Sequence, residues 1–410
     1  MELDVLSLPV LSAPGEVITF YSYKGGAGRT MALANIARRL AEACDAARPD
    51  AARPVLMIDW DLEAPSLHHY FNCKLDGPGV LELFEACRTV LQGARGTISD
   101  PEALARSVLQ EVNWECYVCR AGEGSALYLM RAGCMDDGYG ERLGRLRWAE
   151  LFEACPALFR CLAEQLSQHF RYVLVDAHAG RSESTGICTA LLPQKLVLAF
   201  APDRLSVEGV QGVAGRATAH RRSDEDDYRP LMIYPLPTHL DAADAPRRTQ
   251  WRHGDARLGV AGYQPVFERL LGEVYGVPRL SLDSYFDEVM VQQLRLPIGN
   301  EAAQRSERGG DRFSLMRGYD ALLEWLEGSC FPWQPRREVQ LLRAGCEDRQ
   351  AAVNGLAHTL SRMNELLQHS SADEYQQLAR NSHAAASRHG LHVVGEEARM
   401  PLDGTHAAPR

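Results

Sequence analysis

Tyr23-Lys24-Gly25-Gly26-Ala27-Gly28-Arg29-Thr30 separates two runs of opposite character. Before it, Val17-Ile18-Thr19-Phe20-Tyr21 is short, apolar, β-branched and aromatic, which reads as a buried strand. After it, Met31-Ala32-Leu33-Ala34-Asn35-Ile36-Ala37 places apolar residues at helical spacing among strong helix formers. A strand, a tight glycine turn and a helix N-terminus together make an anion site, because backbone N–H groups converge and the helix dipole favours negative charge. Gly25, Gly26 and Gly28 allow the backbone to approach phosphates closely. Thr30 stands where a phosphate-binding loop places the hydroxyl that holds Mg²⁺.

Two further strands end in carboxylates. Val55-Leu56-Met57-Ile58-Asp59-Trp60-Asp61 delivers Asp59 and Asp61 two residues apart, on one side of an extended chain. Tyr172-Val173-Leu174-Val175-Asp176 is a fully apolar run closing on Asp176, the form in which a carboxylate is presented to a metal beside a phosphate loop. Gly180, four residues on, is placed for a backbone N–H to sense a terminal phosphate. Ligands of open parallel sheets bind at the carboxyl ends of strands, so all three motifs point to one crevice. The expected fold is α/β: a doubly wound, mostly parallel sheet with a helical appendage at the C-terminus.

The loop lacks the first Gly and the final Lys of the ordinary phosphate-loop pattern, which are Tyr23 and Arg29 here, and gains an early cation, Lys24. In these features it resembles the deviant Walker A of the ParA/MinD family of P-loop ATPases. The closest resemblance is to a bacterial branch with Y-S-[YF]-K-G-G-x-G-R-[ST]-M-A-L-A-N followed by D-W-D-L-E-A-P, matched by Tyr21–Asn35 and Asp59–Pro65. The resemblance covers about residues 17–330. It implies ATP and Mg²⁺ as cofactors, with Gly25 to Met31, Gly180 and Pro235 to Thr238 around the nucleotide and Thr30, Asp59 and Asp176 around the metal. It also implies an ATP-dependent homodimer in which Lys24 reaches the partner's phosphates. Arg29 would touch phosphates and Asp61 would position the attacking water. Members of the branch often sit beside effector or conflict-system domains, so the output implied is a change in partner or effector binding. A scaffold that holds ATP without turnover is the alternative reading.

The remaining chain bounds these expectations. A formal net charge of -10 argues against an extended nucleic-acid groove. No apolar run approaches the length of a membrane-spanning helix, and Met1-Glu2-Leu3-Asp4 does not begin like a signal peptide, so a cytoplasmic protein is expected. Eleven cysteines scattered through apolar segments fit reduced core thiols, with Cys116 and Cys119 forming the C-x-x-C pair inside an expected strand. Helices are expected over Gly79–Leu91, Pro101–Val112, Tyr139–Phe152 and Val266–Val274, with Ser206 as the N-cap of the helix beginning at 203–215. His178 lies in the expected switch and His68 and His69 near the site. The ATPase domain is expected over 1–330 and a helical appendage over 331–389. The appendage has a seam of Leu342, Cys346, Val353, Leu356, Leu360, Met363 and Leu367 for a coiled coil, a partner, or its own ATPase domain. The tail 390–410 is expected to be disordered.

Overall fold

The computed structural model describes residues 8–46, 54–71, 73, 77–93, 99–122, 126–223, 230–241, 243–257, 259–293, 315–336, 338–342, 344–346, 350 and 354. The chain divides into two units, Met1–Trp333 and Gln334–Arg410. In the second unit, the Val339 N–H donates to the Pro335 carbonyl at 3.0 Å. Leu342 and Cys346 are exposed there; the rest of the expected seam and the 390–410 tail lie outside the described residues.

The first unit begins with β1 (Glu16–Ser22), α1 (Arg29–Ala46) and β2 (Val55–Trp60). Helices α2 (Leu67–Tyr70), α3 (Val80–Gly93) and α4 (Pro101–Val112) precede β3 (Val118–Arg120) and β4 (Leu127–Met130). Then come α5 (Tyr139–Arg145), α6 (Trp148–Ala154), α7 (Leu158–His169) and β5 (Tyr172–Ala177). After α8 (Glu183–Gly186) the chain makes a π turn over Ile187–Leu191 and enters β6 (Lys195–Phe200), α9 (Arg204–Ser223) and β7 (Met232–Pro237). Helices α10 (Ala245–His253), α11 (Tyr263–Tyr275), α12 (Asp283–Glu288) and α13 (Leu315–Glu327) complete it.

The strands form one sheet in the order β3-β4-β2-β5-β1-β6-β7, parallel except for β3 against β4. Its central strands are buried on both faces, which is why they read as unbroken apolar runs rather than alternating ones. Neighbours β1 and β5 send their connections opposite ways, β1 towards β2 and β5 towards β6. Right-handed crossovers then put α1 and α8 on opposite faces and open a crevice at the strands' carboxyl ends. One aromatic cluster packs Trp60, Phe84, Trp148 and Phe159. Another packs Phe200, Tyr263, Phe267 and Phe286.

Lys195, 1% exposed, opens β6 with its ammonium fully engaged. It donates to Glu16 at 2.7 Å, Ser329 Oγ at 2.7 Å and the Leu326 carbonyl near the end of α13 at 2.6 Å. At the sheet's edge, β7 carries Pro235 and Pro237, whose carbonyls accept the Tyr285 hydroxyl at 3.0 Å and the Val291 N–H at 2.9 Å.

Three local expectations are corrected. The expected strand around Cys116 is a 3-10 turn over Trp114–Tyr117, leaving only Val118–Arg120 in the sheet. Asn113 causes this: at φ 50° it ends α4, and its side chain accepts the Glu115 N–H at 3.3 Å. The single helix expected over 139–152 breaks at Leu146 and Arg147, both extended, which lets Leu146 turn into the core. Ser206 is not the cap of α9. Asp203 is: its carboxylate accepts the Ser206 N–H at 3.0 Å and hydroxyl at 2.7 Å. Helix α9 itself runs on to Ser223.

Candidate functional site

The loop between β1 and α1 lines a cleft of about 510 Å³ at the carboxyl ends of the strands. Gly25 to Met31 all face it, joined by Ser22, Asp61, Ala179, Thr238 and His239 from four other segments. Gly26 and Gly28 both sit at φ +75°, a left-handed conformation that side chains other than glycine's resist. Tyr23, in the place of the usual first glycine, lies over α9, where a Cβ on Gly209 would fall 2.0 Å from its ring. No alternating apolar pattern announces this contact, because it is made by the absence of a side chain.

Beneath the loop is a buried charge cluster. Asp59 and Asp176 are register partners on β2 and β5. The Thr30 hydroxyl donates to Asp176 Oδ2 at 2.7 Å. Arg29, 6% exposed, turns from the loop into the cluster: Nε donates to Asp176 Oδ1 at 2.5 Å and Nη2 to Asp61 Oδ2 at 2.7 Å. A planar fork can bridge two carboxylates in this way, which one ammonium cannot. Burial disfavours the charge on Arg29, but Asp176 and Asp61 outweigh it and raise its pKa above the ordinary arginine value.

Burial likewise pushes both Asp59 and Asp176 upward. Asp176 is opposed by Arg29 and Thr30, whereas Asp59 Oδ2 has only the Leu67 N–H, at 3.1 Å, with weaker help from Arg29. Burial and the facing Asp176 therefore raise Asp59 well above the ordinary carboxylate value, and the Leu67 N–H and Arg29 offset this only in part. Asp61 Oδ1 meets His178 Nδ1 at 2.7 Å, and His178 Nε2 lies 3.5 Å from Glu63. The sequence placed His178 in the switch but gave no sign of its pairing with Asp61.

Among the described residues no group of three or more His, Cys, Asp or Glu is arranged to hold a metal alone. Thr30 and Asp176 nevertheless supply adjacent hard oxygens. Asp59 Oδ1 is buried beside them without a hydrogen-bond partner among the described residues. That donor set fits Mg²⁺ completing its shell with phosphate and water.

Lys24 is partly exposed and pairs with Asp203 at 2.7 Å, outside the cleft lining. Gly180, at φ +79°, points its N–H to the Ser22 carbonyl at 3.4 Å, while its own carbonyl accepts the Tyr21 hydroxyl at 2.9 Å. Of the expected Pro235–Thr238 stretch, Thr238 lines the cleft, with His239 beside it, whereas Pro235 is corrected: it is buried within β7, its carbonyl held by Tyr285. Thr238 fixes this end by donating to the Ala27 carbonyl at 2.9 Å. His68 is buried in α2 and stacks on His69 at 3.9 Å. Burial, the His69 ring and Arg131 bring its pKa down to about 4, so it is a neutral packing residue.

The doubly wound, mostly parallel sheet, with a glycine-rich loop between its first strand and helix, matches the P-loop NTPase fold. No protein-family model matches the chain, and no curated protein matches it. Similar solved structures include a putative plasmid partition protein of Borrelia burgdorferi bound to AMPPNP, at 12% identity, 78% of this chain, 100% of that one and TM-score 0.47. McdA of Cyanothece in its ATP complex matches at 14% identity, over 77% of this chain and 98% of that one, with TM-score 0.46. A chain of the MinC:MinD cell division protein complex of Aquifex aeolicus matches at 14% identity, 78% and 98% coverage, and TM-score 0.42. Among the described residues no helix is long and apolar enough to cross a membrane.

Proposed function

We propose that the chain is an ATP- and Mg²⁺-dependent switch ATPase that dimerises with ATP and regulates a partner or effector in a multi-component bacterial system. The observation carrying this reading is the meeting of Gly25–Thr30, Asp61 and Asp176 at adjoining strand ends, with the Thr30 hydroxyl on Asp176. Backbone N–H groups of the loop would bind the phosphates, and Thr30 and Asp176 would hold the metal, which supplies charge neutralisation. Asp61, at the cleft and hydrogen-bonded to His178, is the carboxylate placed to orient a water. Lys24, partly exposed on its own protomer, is free to exchange Asp203 for a partner's phosphates. Gly180 follows Asp176 on the switch, so terminal phosphate would draw its N–H away from Ser22.

A second reading rests on Arg29. Its guanidinium is committed to Asp176 and Asp61, which favours a scaffold that binds ATP and does not turn it over. Phosphate release and light scattering with ATP and Mg²⁺, for wild type and Asp61→Asn, separate the two. The switch ATPase predicts wild-type turnover, at least 100-fold loss in the variant and an ATP-dependent dimer in both (roughly the cost of removing one positioned catalytic group). Tight ATP binding without phosphate release in the wild type would select the scaffold.

A further inference from the structure

A second cavity, of about 410 Å³, lies between α6, the α8–π turn segment and α9, and shares no lining residue with the nucleotide cleft. Trp148, Phe152, Ile187, Leu191 and Val213 give it apolar walls. Its volume falls within the usual range for small-molecule sites. The π turn over Ile187–Leu191 shapes one side, and single-turn π segments recur at functional sites. At Gly186, which lines the cavity, a Cβ would meet nothing within 4 Å.

Two arginines of the rim come together. A Cβ on Gly212 would lie 3.0 Å from Arg181 Nη2 and 3.6 Å from Arg216 Nη1, so both guanidinium groups converge on one point. Both side chains line the cavity, as does His220. Neither arginine has a carboxylate partner among the described residues. Glu183 is the one acid of the lining; its carboxylate accepts the Ala149 N–H at the start of α6, at 3.1 Å, and leaves the two arginines in excess. Two like charges held together without a counterion repel, and an anion between them removes that cost. The arrangement is an apolar slot whose mouth is cationic on balance, two arginines against one acid.

We propose that this cavity binds a small organic anion with a flat apolar body. Its carboxylate is clamped by Arg181 and Arg216 and its body lies against Trp148, Phe152 and Ile187. Arg181 directly follows Gly180 and its guanidinium lies 5.8 Å from the Tyr23 ring, so the occupant touches the segment joining the two sites. The proposal stands on the cavity alone and does not require ATP hydrolysis.

The test is calorimetric titration of the full chain with 2-naphthoate, against the neutral isostere 2-naphthylmethanol. Arg216→Gln, at an exposed position, removes one arm of the clamp; Gly186→Leu fills the slot; melting temperatures report folding. Naphthoate is expected to bind with Kd below about 1 mM, at least tenfold more tightly than the alcohol. Arg216→Gln should weaken it at least tenfold and Gly186→Leu should abolish it without changing the melting temperature. No binding by wild type, equal binding of acid and alcohol, or affinity unmoved by Arg216→Gln overturns the proposal. So does a wild-type chain whose cavity is closed by a second copy, seen as a doubled mass that excludes naphthoate.

Discussion

Arg29 neutralises two carboxylates that would otherwise be buried without a cation. Removing one partner of such a cluster is costly because the charges left behind have lost their water. We expect Arg29→Met to lower stability by about 3–5 kcal/mol in the presence of a chelator. Mg²⁺ should restore part of that loss, because it can take over the charge on Asp176. Denaturant unfolding of wild type and variant, with and without Mg²⁺, measures both effects. An unchanged midpoint in chelator would mean that the ion pairs contribute nothing. Replacement by Lys is not a conservative control, since one ammonium cannot reach Asp176 and Asp61 with the fork's geometry. The sequence located Arg29 in the loop, but loop spacing does not say which way a long side chain turns; the buried acids decide that.

Elements were legible where one physical signal dominated. The runs Val17–Tyr21, Val55–Ile58 and Tyr172–Val175 are apolar because the sheet buries them on both faces, and each became a strand. The helices at 101–112 and 263–275 likewise follow their periodicity. Elements were illegible where one residue overrules a pattern, as Asn113 does by adopting a left-handed backbone and Asp203 by capping a helix three residues before the expected Ser206. At the site, motif order located Gly25–Thr30, Asp61 and Asp176, while the Tyr23–Gly209 contact and the Arg181–Arg216 convergence arise between distant segments and leave no local pattern.

The Lys195 junction belongs to this scale too, since its charge faces the end of α13, where the helix dipole favours a cation. Lys195→Met should cost about 3–5 kcal/mol, because Glu16 and the Leu326 carbonyl lose a buried donor together. Hydrogen exchange should show α13 losing protection before the central strands. Uniform loss across the sheet would mean that the lysine supports the whole unit and not that helix.

At the scale of the molecule, the two ends of the sheet are finished differently. One end is β3, only three residues long and antiparallel. The other is β7, where Met232 and Thr238 donate inward to Gln194 and Phe200, so alternation turns Pro235 and Pro237 outward. Outward proline offers no N–H to an incoming strand, and the two carbonyls are already occupied by Tyr285 and Val291. The edge is therefore a poor template for cross-strand growth, the route by which open sheets aggregate or run into fibrils. Pro235→Thr combined with Pro237→Thr should raise light scattering on heating at temperatures where the wild type stays clear; equal turbidity in both would count against the idea. Any self-association of this chain is then left to loops and helical faces, whose contacts can be made and released, and not to a backbone ladder that would lock copies together irreversibly.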